Sequence, residues 1–212
     1  MIIWFATGNV HKKAELAALL PGHTVKIPAD AGLAFDPEET GNSFMDNAFL
    51  KAGALYRLLQ GQGRETESRA VLADDSGLCV DVLGGRPGIH SARYRGPDTG
   101  AEGDTPLPDP ARNTLLLEEL GENPDRRARF VCAMVLLLGE HRFLAAQETM
   151  EGEIVRPAEV RGAGGFGYDP LLYLPERGRT VAELSQEEKN RISHRGKAGR
   201  IIARMLAETP VL

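Results

Sequence analysis

At 212 residues, with 42% apolar and 26% charged side chains, the chain can bury about 70% of its unfolded surface and needs no disulfide or structural metal to fold. Its net charge of −5 excludes a broad nucleic-acid face, which requires excess Lys and Arg, but leaves room for a nucleotide gripped by a few local cations. No apolar run of about 18 residues occurs, Lys12 and Lys13 interrupt any N-terminal leader, and Cys79 and Cys132 fit no metal-ligand spacing; a cytoplasmic, reducing setting with no membrane partner is expected.

Ile2 to Ala6 read as a short buried strand, and apolar residues from Ala14 to Leu20 then recur at helical spacing, predicting a helix over about 10–20. Residues 24–36 read as strand and loop, and 43–60 as a long amphipathic helix. Val71-Leu72-Ala73 predicts a buried strand ending at Asp74-Asp75-Ser76-Gly77, with a second short strand at 78–82. Residues 86–96 read as a loop, the Pro- and Gly-rich stretch 97–110 as a surface loop, and about 111–121 as a helix. A β-hairpin is expected from 130–138 and 142–150 around Gly139-Glu140. A Gly-rich turn at 162–170 leads to a strand at 171–174, and two helices close the chain: 180–188 behind Thr180, and 194–208 behind Ser193 as N-cap. This alternation predicts an α/β fold with a mixed sheet.

Several segments carry candidate chemistry. The turn Thr7-Gly8-Asn9 opens the first helix, where backbone N–H groups and the helix dipole favour an anion; Gly8 permits close approach and Lys12 reaches the same point. Taken alone this turn reads more readily as an ordinary capped helix start. Asp74 and Asp75 after an apolar strand cost desolvation unless donors or a metal meet them, and suit a hard cation such as Mg²⁺. Glu38-Glu39 forms a second acidic turn ahead of the long helix, and Lys51 on that helix alone reads as a solvated charge. Phe166-Gly167-Tyr168-Asp169 offers rings that stack on a base or pack in a core, with a carboxylate beside them. Lys189 alone reads as a surface charge. Ser193-His194-Arg195 presents donors at a helix start, where an Arg opposes the dipole and calls for a carboxylate or ligand partner.

Together, ATGNVHKKAEL (6–16), EETGNSFMDNAFLKA (38–52), ADDSGLCVDVLGGRPGIHSARYRG (73–96), GFGYDPLLYLP (165–175) and EEKNRISHRGKA (187–198) resemble the inosine triphosphate pyrophosphatase family in order and over nearly the whole chain. The resemblance implies a single domain of two α/β lobes around a substrate cleft, with a long curved mixed sheet related to the Maf fold, and a homodimer. It also implies Mg²⁺-dependent release of pyrophosphate from ITP, dITP and XTP, which cleanses the nucleotide pool. By position it implies that Thr7, Gly8, Asn9 and Lys12 hold phosphates. Glu39 and Asp75, with Asp74 as a lesser ligand, serve the metal, and Asp75 is the general base. Ser76 and Lys51 contact substrate, and Phe166, Gly167, Tyr168, Asp169, Lys189, His194 and Arg195 surround the base. The stretch after Gly96 is longer and richer in Pro and Gly than the resemblance leads one to expect, yet removes no motif residue.

On this reading, water attacks the α-phosphorus, Lys12 and Lys51 stabilise the phosphate chain, and a carboxylate takes the proton. A donor at the His194-Arg195 turn suits the 6-oxo group of inosine and xanthine and mismatches the amino group of adenine; rejection of GTP has no account in the sequence. The competing readings are a Maf-like pyrophosphatase acting on modified pyrimidine nucleotides, disfavoured by the SHR and FGYDP motifs, and a non-catalytic nucleotide-binding regulator, disfavoured by the acidic set.

Overall fold

A computed structural model describes residues 1–63, 70–96, 107–162 and 164–210. The elements in chain order are β1 (Ile2–Phe5), α1 (Val10–Leu19), β2 (Thr24–Lys26), α2 (Phe44–Gly61), β3 (Val71–Val80), α3 (Asp109–Leu120), β4 (Arg127–Leu137), β5 (Phe143–Ile154), β6 (Leu172–Leu174), β7 (Arg179–Thr180), α4 (Gln186–Ile192) and α5 (His194–Glu208). The strands form an open sheet in the order β2-β1-β3-β4-β5-β6-β7. It is mixed: β1 runs parallel to β2 and β3, whereas β5 pairs antiparallel with β6 and β6 with β7. The expected α/β class with a mixed sheet is what forms. Among the described residues no helix is long and apolar enough to cross a membrane.

The chain divides into two compact units, one of residues 1–75, 132–148 and 194–212, the other of residues 76–131 and 149–193. In the first unit the strands alternate cleanly between two cores, because successive side chains on a strand point to opposite faces. Ile3, Phe5, Leu72, Cys132, Met134 and Leu136 pack with Leu16 and Leu20 of α1 and Ala198, Ile202 and Leu206 of α5. The intervening Trp4, Ala6, Val71, Ala73, Ala133 and Val135 pack with Ala48, Ala52, Leu55 and Leu59 of α2. So α1 and α5 cover one face and α2 the other. A Cβ at Gly199 would lie 2.7 Å from Leu19 Cδ1, so α5 approaches α1 closely there and a larger residue would have to push the end of the Leu19 side chain aside. The second unit has its own core, built on Leu78, Tyr94, Leu116, Phe130, Ile154, Tyr168 and Leu171 among others.

Three expectations about elements are corrected. Residues 71–80 form one continuous strand, so Asp74 and Asp75 sit mid-strand and not at a carboxyl end, and no separate strand occupies 78–82. The apolar run breaks at the aspartates only in polarity, since the chain stays extended and Leu78 and Val80 resume the buried pattern. The helix expected at 180–188 is two pieces. Thr180 precedes a short 3-10 turn, Val181–Glu183, and α4 begins only after Ser185, whose capping box with Glu188 sets the start. Helix α3 begins at Asp109, because Pro110 suits a first helical turn; the surface loop expected at 97–110 otherwise falls mostly on residues 97–106, outside the described residues.

Candidate functional site

The first turn behaves as a helix cap. Asn9 Oδ1 accepts from His11 N–H at 2.9 Å and Lys12 N–H at 3.2 Å, and Thr7 Oγ1 accepts from Asn9 N–H at 3.1 Å. Here Asn9 satisfies N–H groups that the sequence reading had left open for an anion. Gly8 is different: its φ is not left-handed and an added Cβ would meet nothing within 4 Å, so the fold itself does not demand glycine there.

On β3, alternation sends the two aspartates to opposite faces. Asp74 shares the parity of Leu72 and faces α1 and α5. It is buried, accepts two bonds from Lys12 Nζ at 3.0 Å each, and accepts one from Arg195 Nε at 3.2 Å. Arg195 in turn donates through Nη1 to Glu15 Oε2 at 2.7 Å. Burial pushes the Asp74 carboxyl up, but Lys12, Arg195 and Lys51 outweigh it and hold the group well below the ordinary carboxylate range. Arg195 thus finds the carboxylate partner that its place at a helix start demands. Glu15, buried on α1, was not singled out from the sequence; the signal was a carboxylate at an otherwise apolar helical position.

Asp75 shares the parity of Val71 and Ala73 and faces α2. Its Oδ1 accepts from Lys51 Nζ at 3.0 Å and its Oδ2 from Asn47 Nδ2 at 3.2 Å. Lys51 Nζ also donates to Glu39 Oε1 at 2.9 Å, so Glu39 and Asp75 share one ammonium. Asn47 Oδ1 accepts from Gly41 N–H at 2.8 Å, and a Cβ at Gly41 would lie 2.6 Å from Asp46 Cβ, so the loop bearing Glu39 closes tightly on the start of α2. Asn47 and Lys51, four residues apart on one helical face, bracket the carboxylate; Asn47 was missed because an isolated Asn in a helix carries no signal of its own. Burial raises the Asp75 carboxyl, Lys51 and Asn47 pull it back, Glu39 adds to the rise, and the net direction is up. Burial pulls Lys51 down, but Asp74, Asp75 and Glu39 prevail and raise it, keeping it charged.

Lys12, Lys51 and Arg195 thus meet Glu15, Glu39, Asp74 and Asp75, three cations against four carboxylates. Among the described residues no group of three or more His, Cys, Asp or Glu forms a ready metal site, and Asp74 is not brought to Glu39 and Asp75. The oxygens of Glu39 and Asp75 still fit Mg²⁺, which commonly takes one or two carboxylates and draws its other ligands from phosphate and water.

In the second unit, Asp169 Oδ2 accepts from Phe166 N–H at 2.9 Å and from Lys189 Nζ at 2.6 Å. The Lys189 ammonium stands 4.5 Å from the Phe166 ring centre. A Cβ at Gly165, which has φ +73, would lie 2.0 Å from that same carboxylate oxygen. Phe166 is half-buried, whereas Tyr168 lies in the apolar core with its hydroxyl donating to the Ser91 carbonyl at 3.1 Å. Lys189 is buried and not a surface charge. Ser76, partly exposed on β3, belongs to the second unit, and His194, buried at the start of α5, to the first. A cavity of about 710 Å³ elsewhere in the second unit, lined by Arg126, Arg156 and Tyr173 among others, contains none of these residues.

A family model described as the Ham1 family matches residues 3–205. The dITP/XTP pyrophosphatase of Treponema denticola is 50% identical over 206 residues, covering 97% of this chain and 98% of that protein. The Escherichia coli K12 dITP/XTP pyrophosphatase is 43% identical, covering 93% of each chain. Among solved structures, a HAM1 protein from Coxiella burnetii matches with a TM-score of 0.81 at 36% identity, covering 99% of this chain and 100% of that one.

Proposed function

The chain belongs to the Ham1 family, and from that premise we propose that it hydrolyses non-standard purine nucleoside triphosphates, dITP, ITP and XTP, to the monophosphate and pyrophosphate. The observation that carries this reading is the different setting of two adjacent aspartates: Asp74 is clamped by Lys12 and Arg195, whereas Asp75 is oriented by Asn47 and by a Lys51 ammonium that it shares with Glu39, and its carboxyl is pushed up by burial, which suits a general base.

Asp75 accepts a proton from water as the water oxygen attacks the α-phosphorus. The bond from that phosphorus to the bridging oxygen breaks, and pyrophosphate leaves with the bonding pair. Asn47 and Lys51 fix the orientation of the Asp75 carboxylate. Lys12 and Lys51 exchange part of their carboxylate contacts for phosphate oxygens, with Thr7 and the open backbone at Gly8 lining the phosphate chain. Glu39 and Asp75 would hold Mg²⁺, which when bound neutralises phosphate charge. Glu15 and Arg195 hold Asp74, which keeps Lys12 at the phosphate end.

Phe166 offers its ring to the base, backed by Lys189, while Asp169 latches the turn. Arg195, engaged by two carboxylates, fixes the start of α5, and His194 beside it is the donor offered to the base. A homodimer, a cytoplasmic setting and the absence of any nucleic-acid polymer as partner complete the reading. The test is to incubate the purified protein and Mg²⁺ with dITP, ITP, XTP, GTP, ATP and dUTP, measuring pyrophosphate and orthophosphate separately. Pyrophosphate from dITP, ITP and XTP, with little from ATP, is expected. Turnover of pyrimidines alone, or of nothing, refutes the reading.

A further inference from the structure

The Gly-rich turn that carries Phe166 is held from its far side by the first turn of α3. Asp109 Oδ2 accepts from Gly167 N–H at 2.5 Å, and Asn113 Nδ2 donates to the Gly167 carbonyl at 3.1 Å. Both peptide groups of one residue are therefore gripped by two side chains four residues apart on the same helical face. Arg112 locks the grip. It bonds the Asp109 carboxylate, donates to the carbonyls of Ala92 at 2.8 Å and Leu107 at 3.0 Å, and places its guanidinium 6.0 Å from the Tyr168 ring centre.

The grip is aimed at a place where the chain has no stiffness of its own. Gly167 sits at φ +63, and an added Cβ there would meet nothing within 4 Å; the conformation, not crowding, calls for glycine. Gly165, on the other side of Phe166, is also left-handed. A ring flanked by two such residues keeps one orientation only if something outside fixes the backbone. Asp169 does so on one side of Phe166, through its N–H, and Asp109 with Asn113 do so on the other.

We propose that Asp109 and Asn113 are positioning residues for recognition of the nucleobase: they set the orientation of Phe166, and hence affinity and selectivity for the base, and take no part in the chemistry at the phosphates. The inference rests on the reading of the Phe166–Asp169 turn as the base-binding segment. All the residues involved belong to the second unit, whereas Lys12, Lys51 and Asp75 belong to the first.

The test uses Asn113→Ala and Asp109→Ser in the full chain. Kinetics are measured with ITP and ATP, and inhibition with inorganic tripolyphosphate, which has a phosphate chain and no base. Each variant is expected to raise KM for ITP about 10-fold, the effect of one lost hydrogen bond, with kcat within about threefold of wild type. Inhibition by tripolyphosphate should be unchanged, and the preference for ITP over ATP should shrink. An unchanged KM for ITP overturns the inference. So does a parallel rise in the tripolyphosphate inhibition constant, which marks a general structural defect. If Asp109→Ser does not fold, the partly exposed Asn113→Ala decides alone. Wild-type protein that fails to release pyrophosphate from ITP refutes the proposed function and this inference with it; wild-type turnover with unaltered variants refutes the inference only.

Discussion

Replacing each aspartate of β3 by asparagine should separate the two roles: Asp74→Asn should cost stability, whereas Asp75→Asn should cost turnover and leave stability intact. Asp74 is about as buried as a side chain can be and accepts three bonds from two cationic side chains. Removing its charge takes a carboxylate from the buried Arg195, which keeps its bond to Glu15, while Lys12, 17% exposed, can turn to solvent. Breaking a buried ion pair on one side costs about 3–5 kcal/mol, and the escape open to Lys12 puts this case near about 3 kcal/mol. For a chain of this size that lowers Tm by about 6–12 °C. Asp75 is the reverse case, because its carboxyl is raised in the fold. A group raised above its unfolded value of 3.8 contributes stability below that value and loses it as pH rises through the folded value, so at neutral pH its charge is a burden. Asp75→Asn relieves that burden and leaves Lys51 paired with Glu39, so stability should hold within about 1 kcal/mol or rise.

The assay is thermal unfolding at pH 7 beside pyrophosphate release from ITP. Asp75→Asn should lose about 10²–10⁴-fold in kcat, the worth of a positioned general base, with Tm unchanged or higher. The wild-type advantage over Asp74→Asn has its own pH signature. A depressed carboxyl contributes stability above its unfolded value of 3.8 and loses it as pH falls towards the folded value, so the gap in Tm should persist at pH 5 and narrow only below about 3.8. An Asp75→Asn protein that keeps most of its turnover removes the base assignment. An Asp74→Asn protein as stable as wild type removes the account of the Lys12-Asp74-Arg195 cluster.

Gly8→Ala should leave stability unchanged within about 0.5 kcal/mol, since no protein atom contests the space, yet raise KM for ITP; an unchanged KM would mean that no ligand comes close there. Gly165→Ala should cost about 1–3 kcal/mol and weaken base selectivity, because its Cβ would meet the Asp169 carboxylate and its φ is left-handed; denaturant unfolding checks it. Burial raises the Cys132 thiol to about 12, so alkylation at pH 8 should label it only on unfolding, which mass spectrometry would follow. Light scattering should return roughly twice the 23.0 kDa of one chain if the homodimer forms.

Much of the fold was legible because its elements obey strong local rules. The helix starts at Asn9 and Ser43 are side-chain caps ahead of periodic apolar runs, and the strand pattern of 130–138 is unbroken. What escaped was decided by tertiary context. Two adjacent aspartates look like the end of a strand, since local propensity gives no reason to extend a ladder through them. The strand continues because Lys12, Arg195, Asn47 and Lys51, from three different helices, supply donors in the interior. Likewise Tyr168 and Phe166 look alike in sequence as rings on one turn. Their fates diverge because Ser91 and Arg112, remote in the chain, claim the tyrosine for the core.

The acidic doublet is best understood through the two-residue period of a strand. Neighbouring carboxylates on a helix or loop would share one environment and repel each other. On β3 they face opposite layers, so each accepts hydrogen bonds from different cations: Lys12 and Arg195 from α1 and α5 for Asp74, Lys51 from α2 for Asp75. Two positive partners against one carboxylate leave no doubt about its charge. Asp75 shares the Lys51 ammonium with Glu39; burial first, with the charge of Glu39 adding to it, raises Asp75 above the ordinary range against the pull of Lys51. The difference between a clamp and a base is thus set by which layer each residue faces, and a one-residue slip in the register of β3 would exchange the two roles along with every apolar contact on the strand.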